Sequence, residues 1–433
     1  MFKKSKLMLA SVLALVMCFA SVTPAMAAPL NGGGAAVGDE TNPVQVAITK
    51  NLEVPVGTNI PDATFTFTAD KVSLDDQTDA AAKASMPALH NLTLTFAPGD
   101  SGDTVAGITT VIKETGDLFE NVDFPHAGIY VYTITENGIG SNTAIESDTT
   151  HQTLTYSHAT YTMTVYVENS TSGTGTYVYA VGTKVVVPDN DDQAVGDKVD
   201  PSLGGDDVNY HHSQMMFTNT YVKTNGTDDP DNPDPTDPDQ STLSVSKAVT
   251  GSLASKELYF NFSMTLSIPT LVDPIPATYK AYVVENGAIV TSTENGAAAG
   301  NNYIAVATSG ATTFSLKHGQ QLVFVNTPVG TSYTVTETIS TGYDPSYAIT
   351  TAGVQATTVT GNATSVQYVG EELDGTDGLA SNKADFTNER NVMAPTGLNL
   401  NDLPFIAMIL VAVGALVIFI VVKSRTRQEK KQQ

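Results

Sequence analysis

Tyr132-Thr133-Ile134-Thr135-Glu136 recurs as Tyr333-Thr334-Val335-Thr336-Glu337, and this recurrence decides the fold. In both copies apolar and hydroxyl side chains alternate with period two, which predicts an extended strand with one face on a core and one in water. Before each copy stands an alternating run ending in lysine: Val46-Ala47-Ile48-Thr49-Lys50 and Leu243-Ser244-Val245-Ser246-Lys247. After each comes Phe-Thr-Asn, in Met216-Phe217-Thr218-Asn219 and Asp385-Phe386-Thr387-Asn388. A Phe-x-Phe run follows each lysine, Phe65 to Phe67 and Phe260 to Phe262. Lysine and glutamate are 86 residues apart in the first copy and 90 in the second, whereas glutamate and asparagine are 83 and 51 apart. The first copy therefore carries about thirty extra residues, which the Gly- and Asp-rich composition places within 169–213.

Further alternating runs, among them Leu92-Thr93-Leu94-Thr95-Phe96 and Tyr161 to Val167, are separated by turn residues. No long 3.6-residue period appears between the two ends of the chain. The expected architecture is all-β, with two tandem β-sandwiches over residues 41–222 and 241–391. Residues 223–240 read as a linker, because Asp228 to Asp239 alternates aspartate with proline and favours an extended, self-repelling chain. An EF-hand does not fit that run, which has no central glycine and no closing glutamate.

The ends carry targeting signals. Residues 1–27 combine Lys3, Lys4 and Lys6, an apolar run and Ala25-Met26-Ala27, the pattern of a secretory signal. The single cysteine, Cys18, lies in that run behind Met17, a poor lipobox residue, so the exported protein holds no disulfide and needs another means of stabilisation. Leu403 to Val422 is uncharged and long enough to span a bilayer, and the basic tail of residues 423–433 would stay in the cytoplasm. The formal net charge is −24. Removing the three signal lysines and the net three positive charges after Thr396 leaves the body near −30, which disfavours nucleic acid as a partner. The seven histidines lack metal-ligand spacing, and there is no phosphate loop, nucleophile elbow or cysteine nucleophile. No metal, cofactor or turnover enzyme is expected.

Lysine, glutamate and asparagine meeting in a core have a definite chemistry. Burial against aromatic rings disfavours the ammonium and the carboxylate alike, leaving a neutral amine beside a protonated acid. Such an amine can attack the asparagine carboxamide while the acid moves protons, joining Lys50 to Asn219 with Glu136, and Lys247 to Asn388 with Glu337. The same residues would equally serve as a buried Lys–Glu ion pair with a bound amide, or as three unrelated surface groups.

Ile48-Thr49-Lys50-Asn51-Leu52, Tyr132 to Glu136 and Phe217-Thr218-Asn219-Thr220-Tyr221 resemble the streptococcal pilin isopeptide-linkage family. Val245 to Gly251 and Phe386-Thr387-Asn388 resemble its sister module, and collagen-adhesin B-type domains are similar to both. The resemblance implies inverse immunoglobulin-like sandwiches, first and last strands side by side, and Lys–Asn isopeptide bonds made once per domain with glutamate help. It also implies that Met393-Ala394-Pro395-Thr396-Gly397, ahead of the apolar span, is a sorting signal cut by a sortase between Thr396 and Gly397. That motif departs from Leu-Pro-x-Thr-Gly in its first three positions. The Thr396 carbonyl would then pass to a lysine of another pilin subunit or to a cell-wall peptidoglycan precursor, the membrane helix holding the precursor beforehand. No Tyr-Pro-Lys motif is present, and Lys198, then Lys184, are the candidate acceptors. Two functions are in play: a cross-linked pilus shaft subunit, or a wall-anchored adhesin whose extra segment in the first domain meets a host or matrix ligand.

Overall fold

The computed structural model describes residues 37–147, 151–189, 193–203, 214–224, 234–237, 241–338, 340–360, 365–369, 382–391 and 403–429. The expected signal sequence, most of the acidic linker, His211, His212 and the sorting motif with Thr396 and Gly397 lie outside the described residues.

Among the described residues the first half builds eleven strands: β1 (Thr49–Pro55), β2 (Ala63–Leu74), β3 (Thr93–Phe96), β4 (Asp103–Val105), β5 (Ile108–Glu114), β6 (Gly128–Glu136), β7 (Gln152–Thr155), β8 (Thr160–Asn169), β9 (Thr176–Val187), β10 (Lys198–Val199) and β11 (Met216–Lys223). They form two sheets, ordered β4-β5-β1-β11-β7 and β10-β9-β8-β6-β2-β3. The alternation predicted for Tyr132 to Glu136 is real: Tyr130, Tyr132 and Ile134 of β6 are fully buried between the sheets. First and last strands pair in parallel, β1 against β11, while β1 pairs with β5 on its other side. β1 is thus a central strand of its sheet, and Lys50 is among the largest fully buried side chains of the chain.

The second half repeats the plan with thirteen strands among its described residues: β12 (Leu243–Thr250), β13 (Phe260–Ser267), β14 (Thr278–Glu285), β15 (Ala288–Ile289), β16 (Ile304–Ala307), β17 (Thr312–Leu316), β18 (Gln320–Phe324), β19 (Ser332–Thr338), β20 (Asp344–Thr351), β21 (Val354–Gln355), β22 (Val359–Thr360), β23 (Ser365–Val369) and β24 (Lys383–Glu389). One sheet runs β15-β14-β18-β12-β24-β20-β21, and the other β17-β13-β19-β23. Again the first strand, β12, pairs in parallel with the last, β24. Gly251 closes β12 at φ +99°, and a Cβ there would sit 2.3 Å from the Arg390 carbonyl oxygen. Only glycine allows both that conformation and so close a passage of the two strand ends.

The described part of the extra segment contains two strands, β9 and the two-residue β10, among its turns. β8 and β9 make a long antiparallel hairpin, and β10 adds to its edge. Lys223 belongs to β11, and its carbonyl accepts a 2.9 Å hydrogen bond from the Val329 N–H, so the start of the expected linker is held in strand pairing. Leu403–Glu429 forms one helix that continues past the apolar span into the basic residues. Pro404–Arg425 is long and apolar enough to cross a membrane, and no part of it is buried against the rest of the chain.

Candidate cross-linking sites

In each sandwich, lysine and asparagine come from the first and last strands of one sheet, and glutamate comes from the facing sheet. Lys50 Nζ lies 3.0 Å from Glu136 Oε2, and both side chains are wholly excluded from solvent. The Asn219 amide donates from Nδ2 to Glu136 Oε1 at 2.9 Å. One carboxyl group therefore faces the amine with one oxygen and the amide nitrogen with the other. The second site gathers the same three residue types around a single carboxyl oxygen. Lys247 Nζ lies 2.7 Å from Glu337 Oε1, again fully buried, and Asn388 Nδ2 donates to that same oxygen at 2.7 Å. The lysine approaches off the hydrogen-bonding directions. Lys247 Nζ, Glu337 Oε2 and Asn388 Oδ1 have no hydrogen-bond partner among the described residues.

The Phe-x-Phe runs now have distinct tasks. The first ring lies against the amine: Lys50 Nζ is 4.8 Å from the centre of Phe65, and Lys247 Nζ is 4.6 Å from Phe260. The second stands opposite the acid, with Phe67 paired to Glu136 and Phe262 to Glu337. The phenylalanine of each Phe-Thr-Asn run packs on that second ring, Phe217 on Phe67 at 5.1 Å and Phe386 on Phe262 at 5.3 Å. Sequence spacing registers the repeated aromatics but not these contacts, which arise only when the two sheets face each other.

This wall of rings sets the electrostatics. Burial pushes the Lys50 amine down to about 8, against the opposing pull of the Glu136 carboxylate, and Lys247 falls to about 8 for the same reason beside Glu337. Burial pushes the Glu136 and Glu337 carboxyls up, with weaker downward pulls from the paired lysine and the asparagine amide and, at Glu136, from the Ser157 backbone N–H. Both partners move towards their neutral forms, the protonation state in which a lysine is a nucleophile.

Two groups absent from the sequence reading complete the first site. Asn219 Oδ1 accepts from the Ser157 N–H at 2.7 Å. Asp189, just after β9, accepts from Ser157 Oγ, the His158 and Ala159 N–H groups and the Thr218 N–H at 2.6–2.8 Å. Lys198 and Lys184 are direct cross-strand partners on β10 and β9, Lys198 exposed and Lys184 half-buried. Lys198 is held in the short β10 pairing with β9.

Residues 46–222 match the family described as "Spy0128-like isopeptide containing domain", and residues 241–390 match a "Domain of unknown function (DUF7601)". A curated relative, "Pilin" of Streptococcus pyogenes serotype M1, is 25% identical over 388 residues, covering 88% of this chain and 91% of that protein. The crystal structure of the major pilin of Streptococcus pyogenes is 19% identical over 81% of this chain and all of that one, with a TM-score of 0.29. The major pilin T3.2 of serotype GAS13637 is 17% identical over 82% of this chain and all of that one, with a TM-score of 0.30.

Proposed function

We propose that this chain, which belongs to the Gram-positive pilins, is a shaft subunit whose two sandwiches each seal themselves with one Lys–Asn isopeptide bond and whose C-terminus is joined covalently by a sortase. The observation that carries this reading is the duplicated triad: lysine, glutamate and asparagine on matching strands, in matching register, buried beneath matching rings. A stalk that bears load gains from a bond joining its first and last strands. An isolated buried ion pair contributes little by itself, since desolvating both charges offsets their attraction.

The chemistry balances within the triad. Neutral Lys50 Nζ attacks Cγ of Asn219 and forms the new C–N bond. The protonated Glu136 accepts the amine proton at Oε2 and donates its own from Oε1 to Nδ2, which leaves as ammonia. Lys247, Glu337 and Asn388 would exchange the same protons and release the same ammonia, with Glu337 Oε1 facing both the amine and the amide. Glu136 and Glu337 act once and need no regeneration, so the protein is a structural one rather than a turnover enzyme. Cleavage between Thr396 and Gly397 would free the Thr396 carbonyl for a neighbouring subunit's lysine, with exposed Lys198 the first choice and Lys184 the second. The apolar helix Leu403–Glu429 would hold the precursor in the membrane until then.

Intact mass of the full chain tests the reading. Two ammonia molecules should be missing, and protease digestion should recover joined peptides containing Lys50 with Asn219 and Lys247 with Asn388. A full unmodified mass would overturn it.

A further inference from the structure

Asn219 is the only carboxamide of the two triads whose oxygen has a hydrogen-bond donor among the described residues. We infer that the Ser157 backbone N–H is the oxyanion donor of the first cross-linking reaction, and that Asp189 is the positioning residue that aims it. This rests on the cross-linking reading above and adds to it a group outside the Lys–Glu–Asn triad.

The geometry carries the assignment. When Lys50 Nζ adds to Cγ of Asn219, the carbonyl π pair moves onto Oδ1, which gains negative charge. When the carbonyl re-forms and Nδ2 leaves with its added proton as ammonia, that charge returns. A donor already 2.7 Å from Oδ1 stabilises this passing charge without reorganising. Glu136 cannot do so, because its two oxygens are turned to Nζ and Nδ2. Ser157 lies just past the end of β7 and next to Tyr156, whose ring packs on Phe65 at 6.4 Å, so the donor sits on the wall of the same pocket.

Asp189 holds the turn that aims that N–H, which donates to Asn219 Oδ1 and also lies against the Glu136 carboxyl. Its Oδ1 accepts the His158 and Ala159 N–H groups at 2.6 and 2.8 Å, and its Oδ2 accepts Ser157 Oγ and the Thr218 N–H at 2.6 and 2.8 Å. Two donors on each oxygen take up the neighbouring His158, Ala159 and Thr218 N–H groups and the Ser157 hydroxyl, so that the Ser157 N–H points at the Asn219 and Glu136 end of the pocket. Thr218 adjoins Asn219, so one side chain ties the donor turn to the strand bearing the acceptor. Asp189 is delivered by the β8–β9 hairpin, which gives the extra segment of the first sandwich a role in the reaction.

The test uses full-length chain made by cell-free synthesis with detergent micelles, sampled over time by digestion and mass spectrometry. The Lys50–Asn219 and Lys247–Asn388 links are counted separately in each sample. Asp189→Ala should slow the first link on the order of tenfold or more while the second keeps the wild-type rate, and Ser157→Pro, which deletes the donor, should slow it on the order of a hundredfold. Asp189→Asn, which retains one accepting oxygen, should lie between Asp189→Ala and wild type. Circular dichroism of Asp189→Ala, with the second link as internal clock, separates lost rate from lost fold. Equal first-link rates in wild type and in both Asp189→Ala and Ser157→Pro would overturn the inference. Absence of both links from the wild-type chain would instead overturn the cross-linking reading itself.

Discussion

Lys50 stands directly opposite Phe217 across the parallel β1–β11 pair, not opposite Asn219, its proposed partner. The same offset holds for Lys247, which stands opposite Phe386. Each asparagine lies two residues farther along, on the same face of the pleat. With strands about 4.8 Å apart and a rise of about 3.3 Å per residue, the reacting residues are roughly 8 Å apart at Cα. A long lysine with a short asparagine spans that diagonal. The intervening phenylalanine then packs behind the pair instead of between them. Exchanging the two residues, Phe217→Asn with Asn219→Phe, preserves the composition of the core but brings the amide directly abreast of the lysine. That chain should retain one ammonia more than wild type by intact mass, with the Lys247–Asn388 link still present. Recovery of a link from Lys50 to the amide introduced at position 217 would show that the diagonal is not required.

Glu136→Gln should leave the first link unmade, since an amide cannot accept and donate protons in turn. Glu136→Ala should do the same and also strand the Lys50 amine without its partner, at a cost of about 3–5 kcal/mol. Loss of the link adds to both, because closing a loop this long removes about 5 kcal/mol worth of unfolded-state freedom on the chain-entropy account. Thermal unfolding should therefore rank wild type above Glu136→Gln, and Glu136→Gln above Glu136→Ala. Full linking in Glu136→Gln would rule out the proton relay.

The pH profile of linking should be a plateau with two falling limbs. The reactive pair, neutral Lys50 and protonated Glu136, carries the same number of protons as the ion pair, so interconverting them costs no proton from solvent. Acid adds a second proton to the pair, and the rate falls below the raised carboxyl range of Glu136. Base removes the last proton, and the rate falls above about 8, where the buried lysine titrates. The usual expectation for a lysine nucleophile is the opposite, a rate that climbs with pH towards the ordinary amine range. Link formation in chains refolded across pH 5–10, followed by mass spectrometry, decides between them. A continuous climb would mean that glutamate's proton plays no part.

Much of this was legible in the chain itself. The period-two runs gave strands, the repeated Lys, Glu and Asn gave candidate sites, and the structure gathers each set of three within hydrogen-bonding or charge-contact distance. What stayed hidden has physical reasons. Ser157 acts through a backbone N–H that any residue but proline supplies, so its identity carries no signal. Asp189 stands in Pro188-Asp189-Asn190-Asp191-Asp192, which reads as a solvated acidic turn until the fold brings it against β11. The β9 strand was masked by the Gly and Asp residues around it, although Tyr177 to Val187 itself is rich in strand-forming residues.

Force should separate the linked and unlinked chains. A pull applied to the two ends enters the first sandwich at β1 and leaves at β11, and a Lys50–Asn219 bond would carry it directly across. Residues 51–218 would then stay folded behind the bond. In single-molecule extension, Glu136→Gln should gain an unfolding step on the order of 500 Å that wild type lacks, from the released chain at about 3.3–3.6 Å per residue. The same step in wild type would show that no bond shields the sandwich.

Lys198→Arg is the sharpest test of the acceptor. Arginine keeps the positive charge and the β10–β9 pairing, but its guanidinium stays protonated and is no nucleophile. Lys184→Arg makes the same change on the opposing strand, where the side chain is less exposed. In cells that hold the cognate sortase, the wild-type chain should give a ladder of covalent multimers that survives boiling in detergent. Lys198→Arg should collapse that ladder to monomer, and Lys184→Arg should leave it intact, because an acceptor amine has to reach into the sortase site from an exposed position. Cross-strand neighbours this close make the two variants a matched pair: both remove one amine from the same surface, so a general disturbance of the β9–β10 edge would weaken both ladders alike. A ladder lost only in Lys184→Arg would move the acceptor to that lysine, and ladders retained in both would place it elsewhere on the chain.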